Sequence, residues 1–216
     1  MKLRSLVPAL ALVLAVGLAP AAHAQSGIYF TFESQQFTQE GIYARPGTHG
    51  NIDKPWLYGA GYGAYYTIHT VPVLNQVPVI KKFRLPLNVA LDGRGETLRL
   101  NEYGSQLDRE DGYLSLRFSP KHEIGGTTPY AFGGFGIGHT RIPFMAHYQN
   151  NMAYIFGVGI DKKIKRHIDW RVVEADGGFL DSYAVGFGAL PNQSNYQITL
   201  GTGIVFHISR PVKAAK

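Results

Sequence analysis

The chain has 216 residues, 21 of them Lys or Arg against 15 Asp or Glu, so its formal charge is +6 and only 17% of it is charged. Cysteine is absent, which removes disulfides, thiolate metal sites, cysteine nucleophiles and an N-terminal lipidated Cys. With 26 Gly, 13 Tyr and 12 Phe the composition favours strands over helices, and it lacks the depletion of apolar residues that disorder requires.

At the N-terminus, Lys2 and Arg4 precede an apolar stretch from Leu6 to Ala22, and Ala22-His23-Ala24 supplies a small-x-small cleavage pattern. A cleaved secretory signal over residues 1–24 is expected, with a mature chain from Gln25 that loses two positive charges and carries +4. Beyond it no apolar run is long enough for a membrane helix.

Eight segments then alternate with period two, the signature of strands with two unlike faces. In the first, Ile28, Phe30 and Phe32 alternate with Tyr29, Thr31 and Glu33; in the second, Tyr58, Tyr62, Tyr66 and Ile68 alternate with Gly59, Gly61, Gly63, Thr67 and His69. The third sets Phe83, Leu85, Leu87, Val89 and Leu91 against Arg84, Asn88, Asp92 and Arg94. Leu114, Leu116 and Phe118 alternate with Tyr113, Ser115 and Arg117 in the fourth. The fifth, 129–141, holds Tyr130, Phe132, Phe135 and Ile137 in a phase that slips at Gly133-Gly134, where a bulge is expected. Tyr154, Phe156, Val158 and Ile160 alternate with Gly157, Gly159 and Asp161 in the sixth. In the seventh, Ile168, Trp170 and Val172 alternate with Asp169 and Arg171, and Glu174 falls on the apolar face, which predicts a bulge or a strand end there. The eighth places Tyr196, Ile198, Leu200, Ile204, Phe206 and Ile208 opposite Gln197, Thr199, Gly201, Gly203 and His207.

The predicted connections alternate between long and short, as in an up-and-down barrel. About 18 residues separate the first two strands, a polar loop runs from Glu102 to Asp111, and further long loops span Pro143–Asn151 and Gly178–Ser194. Tighter links are predicted at Ser119–Thr128 and Lys163–Arg166, whereas the apolar link Val71–Ile80, interrupted by Pro72 and Pro78, does not fit the pattern.

A soluble sandwich or lipocalin buries its apolar face; a membrane barrel inverts this, because lipid solvates the outside and the lumen can hold polar groups. The polar faces here carry long charged side chains in mid-strand, together with glycines that would weaken a solvated sheet. In a narrow eight-stranded lumen glycines make room, and charges are tolerable when paired. The expected barrel-interior charge network is Glu33, Arg84, Asp92, Arg94, Arg117, Asp161, Asp169 and Arg171, four acids and four arginines. Trp56, Tyr58, Tyr130, Phe144, Tyr154, Trp170 and Tyr196 fall near predicted strand ends, where an interfacial aromatic girdle belongs.

From Gly27 to Ile208 this pattern resembles the small eight-stranded outer-membrane β-barrels of Gram-negative bacteria, the OmpA/OmpX-like class. The features that carry the likeness are an N-terminal strand soon after the cleavage site, strands built of Gly and aromatics, and the closing strand with Gly201-Thr202-Gly203-Ile204-Val205-Phe206-His207-Ile208. In that class the final strand usually ends the chain in an aromatic residue read by the assembly machinery; here ten residues follow Phe206. The resemblance implies an all-β, antiparallel up-and-down transmembrane barrel over residues 25–208 with a short periplasmic tail at 209–216. It also implies residence in the outer membrane among phospholipid and lipopolysaccharide, with the barrel assembly machinery and periplasmic chaperones as partners in biogenesis. Neither nucleic acid nor a cofactor is implied, and the cluster Lys162, Lys163, Lys165 and Arg166 reads as a solvated turn without interleaved aromatics.

Other motifs are weaker. Gly59-Ala60-Gly61-Tyr62-Gly63-Ala64 loosely matches a dinucleotide fingerprint, but a strand follows where that mechanism needs a helix. The histidines show no HxH or HExxH spacing, so no metal site is expected. Some small outer-membrane barrels modify lipids, which takes a Ser or Asp oriented with a His near the outer rim. His49, His139, His147, Asp181 and Ser182 are the residues that could serve, though nothing in sequence groups them. The expected function is therefore an integral outer-membrane protein without a wide pore, structural or interacting through its loops. The alternatives are a lipid-modifying barrel enzyme and an exported soluble binder of an apolar ligand.

Overall fold

A computed structural model describes residues 26–37, 56–68, 87–102, 105–141, 148–181 and 194–209. They form eight strands: β1 (Ser26–Phe37), β2 (Trp56–Ile68), β3 (Leu87–Glu102), β4 (Ser105–Pro120), β5 (Thr127–Arg141), β6 (Tyr148–Lys165), β7 (Ile168–Asp181) and β8 (Ser194–Ser209). Each strand pairs antiparallel with the next, and β1 returns to β8 through pairs such as Phe30↔Ile204 and Glu33↔Gly201, so the sheet closes. Closure satisfies every strand's hydrogen-bonding edge within the sheet, the condition a sheet must meet to exist in hydrocarbon.

The alternation of the sequence becomes an inside and an outside. Phe30 and Phe32 on β1, Phe135 and Ile137 on β5, Phe156 and Val158 on β6 and Ile198 and Ile204 on β8 are all exposed, Ile137 to 65%. Their neighbours in sequence point inward: Tyr29, Thr31, Glu33, Ile155, Gln197, Thr199 and Val205 are buried. A water-facing surface of this kind would leave a large apolar area in contact with solvent.

Small residues make room for large interior ones. Tyr130 on β5 lies directly opposite Gly159 on β6, and a Cβ at that glycine would sit 2.4 Å from the Tyr130 ring. Tyr29 stands in the same relation to Gly63 of β2. At the β4–β5 turn, Gly125 and Gly126 both take positive φ (60° and 77°) between Ile124 and Thr127, whose backbones exchange two hydrogen bonds. Two consecutive positive-φ residues match the right-handed twist of a hairpin, and both positions are glycine.

Three sequence expectations need correction. Glu102–Asp111 is not a loop: β3 and β4 pair without interruption from Leu87↔Pro120 to Glu102↔Ser105, leaving only residues 103–104 between them. Polar residues there extend a hairpin past the apolar belt, and their polarity imitated a loop. No bulge occurs at Gly133-Gly134, since β5 keeps continuous register with both β4 and β6. Its apparent phase slip arises because Tyr130 and Phe132 face the lumen while Phe135 and Ile137 face out. Tyr130, only 4% exposed, is accordingly not part of an outer girdle, whereas Trp56, Tyr58, Tyr154, Trp170 and Tyr196 are exposed.

The bulge expected near Glu174 is present. Register shifts between Arg171 and Glu174 against β8, and between Ile160 and Asp161 against β6. The extra residue turns Glu174 from the apolar face into the lumen. Thr202, opposite the bulge on β8, donates its hydroxyl to the Arg171 carbonyl at 2.9 Å and accepts from the Trp170 indole N–H at 3.2 Å. Two polar groups on the outward face are thereby satisfied within the sheet. The expected signal segment 1–24, the links 38–55, 69–86, 142–147 and 182–193, and the tail beyond 209 lie outside the described residues. So do Arg84, Phe144 and the apolar link 71–80.

A charged lumen as the candidate functional site

The chemistry of this molecule is concentrated in its interior. Of the charged residues expected inside, Glu33, Asp92, Arg94, Arg117, Asp161, Asp169 and Arg171 are all buried, and Arg84 is not among the described residues. Buried with them are Glu96, Arg109, Asp111, Glu174 and Asp176. The balance of four acids to four arginines is therefore replaced, among the described residues, by eight buried acids against four buried arginines. Glu96, Arg109 and Asp111 escaped the sequence reading because they lie on the extended β3–β4 hairpin, and Glu174 and Asp176 because the bulge reverses the phase that follows it.

Glu174 is the hub. Its Oε1 lies 3.0 Å from Arg94 Nη1, and its Oε2 lies 3.1 Å from Arg171 Nη1 and accepts from the Tyr130 hydroxyl. Arg94 also reaches Asp92 Oδ2 at 3.1 Å, and Asp92 Oδ1 accepts from Tyr29 at 2.9 Å. On the other side Arg171 Nε meets Asp161 Oδ1 at 3.1 Å, and Asp161 Oδ2 takes Arg117 Nη2 at 2.6 Å. One chain of alternating charge thus runs Asp92–Arg94–Glu174–Arg171–Asp161–Arg117 across strands β3, β7, β6 and β4. Burial of an ion costs several kcal/mol, about what a well-placed opposite charge with further hydrogen bonds returns, so the chain is stable as a connected whole.

Aromatic rings complete the packing of the guanidinium groups. Arg117 stacks 3.6 Å from the Tyr130 centroid and 4.5 Å from that of Tyr65, Arg171 4.1 Å from Tyr29, and Arg94 3.9 Å from Phe132. A planar cation between two ring faces is attracted by the ring quadrupole where water is excluded. Tyr130 and Phe132 are the functional contributors that sequence reasoning assigned to the outside. The available signal was a regular β5 alternation in which they share a face with Gly134, Gly136 and Gly138.

Toward the end where β1 begins and β8 ends, His207 Nε2 lies 2.7 Å from Asp169 Oδ2 and its Nδ1 3.2 Å from the Tyr65 hydroxyl. A neutral ring with the proton on Nε2 satisfies both, donating to Asp169 and accepting from Tyr65. At the opposite end the character changes. Arg109 pairs with Asp111, which accepts from Tyr113, and Gln197 donates to the Tyr113 hydroxyl at 3.1 Å. Glu96 faces Asp111 directly across the β3–β4 pair, and neither oxygen of its buried carboxyl has a hydrogen-bond partner. Acid is thus in excess at this end.

Of the rim residues weighed for lipid chemistry, His139 is described: its Nδ1 lies 2.6 Å from Asn150 Oδ1. Asp181 ends β7, and His49, His147 and Ser182 lie outside the described residues. The glycine motif 59–64 is interior to strand β2, which continues as strand through Ile68 where a phosphate-binding helix would have to start. Among the described residues no group of three acids or histidines is placed to hold a metal ion, and no helix is long and apolar enough to cross a membrane.

An eight-stranded, closed, antiparallel barrel with this division of faces is the architecture of the small outer-membrane β-barrels. Among solved structures the chain is similar to Neisserial surface protein A, with a TM-score of 0.53 and 8% identity over 83% of this chain and 96% of that one. It is also similar to Ail, the attachment invasion locus protein of Yersinia pestis, solved with the heparin analogue sucrose octasulfate (TM-score 0.47, 12% identity, 86% and 99% covered). A third is the outer membrane protein OprG from Pseudomonas aeruginosa (TM-score 0.40, 11% identity, 87% and 97% covered). At 8% identity the likeness to Neisserial surface protein A speaks for the fold alone. No family model matches the sequence, and no curated protein does either.

Proposed function

We propose that this chain is an integral outer-membrane β-barrel whose lumen is plugged by its own side chains, serving a structural role or acting through the loops at the end away from its termini. The carrying observation is the inversion of faces: Phe32, Ile137 and Val158 are exposed while Arg171, Asp92 and Arg109 are wholly buried. Lipid on the outside and ion pairs within make both faces favourable at once. Export by the N-terminal signal, folding with periplasmic chaperones and the barrel assembly machinery, and contact with lipopolysaccharide follow from this reading. The lumen's stacked arginines, with side chains filling the axis, support a protein that is not a general porin, since eight strands enclose just enough space for side chains.

Electrophoresis of the membrane fraction tests the reading. The unboiled protein is expected to migrate differently from the boiled one and to require detergent for extraction. Recovery in the soluble periplasmic fraction, with one mobility under both treatments, would instead mean a soluble β-domain.

A further inference from the structure

The barrel end at which β1 begins and β8 ends has a feature that neither the fold nor the plugged lumen requires. The β4–β5 turn holds Lys121, His122, Glu123 and Ile124, and the end of β6 with the β6–β7 turn holds Lys162, Lys163, Ile164, Lys165, Arg166 and His167; all are exposed. Glu123 is the only acid in 121–126 and 162–167, and it is engaged by Lys163 Nζ at 2.9 Å. Lys163 N–H also donates to the Gly126 carbonyl at 3.1 Å, so the two turns are tied side by side. That leaves the charges of Lys121, Lys162, Lys165 and Arg166 on one patch. A solvated turn would account for the lysines, but not for what lies among them. Ile124 is 49% exposed and Ile164 57%, and Lys162 lies in the outward column of β6 between Ile160 and Ile164, directly opposite Trp170.

We infer that this patch is a binding surface for anionic phospholipid headgroups in the leaflet that surrounds the turn end. The inference rests on the membrane reading and adds to it a lipid preference. Continuity with the apolar belt sets the depth: Trp170 and Ile160 mark its edge, where an indole favours the interface and a lysine stem can lie along hydrocarbon with its ammonium in the headgroups. Charge complementarity sets the chemistry, because each Lys or Arg at an anionic surface gains attraction that a zwitterionic one withholds. Ile124 and Ile164 enter the acyl boundary beside those cations. A polyanionic cell-wall polymer would satisfy the charges but leave both isoleucines and the Trp170–Lys162 pair unexplained.

The chain's two tryptophans make the test local, since Trp56 lies at the opposite end of the barrel. A Trp56→Phe variant, retaining Trp170, is reconstituted in phosphatidylcholine vesicles containing a tenth of brominated phosphatidylglycerol or, in parallel, a tenth of brominated phosphatidylcholine. Trp170 fluorescence is expected to be quenched at least about twofold more by the brominated anionic lipid. The excess is expected to shrink in Lys162→Gln and vanish in the Lys162→Gln/Lys165→Gln/Arg166→Gln triple variant, and to be absent for Trp56 in Trp170→Phe. Equal quenching by the two lipids would overturn the inference while leaving the membrane reading intact. Equal quenching together with sedimentation on peptidoglycan sacculi that the triple variant loses would assign the patch to the cell wall instead. Absence of quenching by either lipid would sink the membrane reading itself.

Discussion

Glu174 and Glu96 are both buried glutamates on inward faces of the same barrel, yet their surroundings are opposite. Glu174 is held by Arg94, Arg171 and Tyr130, so Glu174→Gln removes the charge that two buried arginines share. Breaking such a pair costs about 3 kcal/mol, and the unfolding midpoint in urea is expected to fall accordingly. Glu96 lies across from Asp111 with its oxygens unpartnered, and Glu96→Gln relieves a like-charge opposition. That variant is expected to be more stable than wild type, by up to about 1 kcal/mol. The two substitutions are chemically identical, so equal effects on the midpoint would mean that the lumen's charges are not arranged as described. At this scale alternation alone revealed Asp92, Arg94, Arg117, Asp161 and Arg171. It could not reveal that Tyr130 and Phe132 stack on those arginines, because a ring suits lipid and cation alike, and only the register of β5 decides.

Among the elements, β7 shows how a local misfit becomes architecture. Glu174 breaks the period-two pattern of its strand, and that break was legible; the direction in which the chain would resolve it was not, since a bulge and a strand end fit equally well. Thr202 settles the local cost by serving both the freed Arg171 carbonyl and the Trp170 indole. Replacing it by Val, nearly the same shape, leaves an acceptor and a donor unsatisfied on the outward face, and a loss of about 1–2 kcal/mol in urea unfolding is expected. Trp170→Phe in the Thr202→Val background is expected to recover part of that loss, because one of the two orphaned groups is gone. No loss in Thr202→Val would mean that the bulge is not held from β8. The β3–β4 hairpin teaches the complementary lesson: once a strand leaves the apolar belt its outward residues turn polar, as Thr97 and Arg99 do, and polarity stops distinguishing strand from loop.

The described strands form one closed sheet, and the charges buried inside it come from β1, β3, β4, β6 and β7, so no single segment of sequence contains them. The strands were legible one at a time through their alternation, whereas the partnership of Arg94 with Glu174 and of Arg171 with Asp161 depends on register and closure. On the proposed reading, arginines stacked on rings inside the barrel leave the lumen no wide aqueous path. In planar bilayers the purified protein is expected to show no conductance of porin size; large, stable steps would contradict a plugged lumen.

The inversion of faces is tested most directly by single cysteines, placed in a chain that has none of its own. Spin labels at residues 155 to 158 of β6, in lipid vesicles, would be read for collision with oxygen, which partitions into hydrocarbon, and with a water-soluble nickel complex. Labels at Phe156 and Val158 are expected to respond strongly to oxygen and weakly to nickel, with those at Ile155 and Gly157 shielded from both. Water exposure at 156 and 158, with the apolar response shifted to 155 and 157, would show the barrel to be turned the other way.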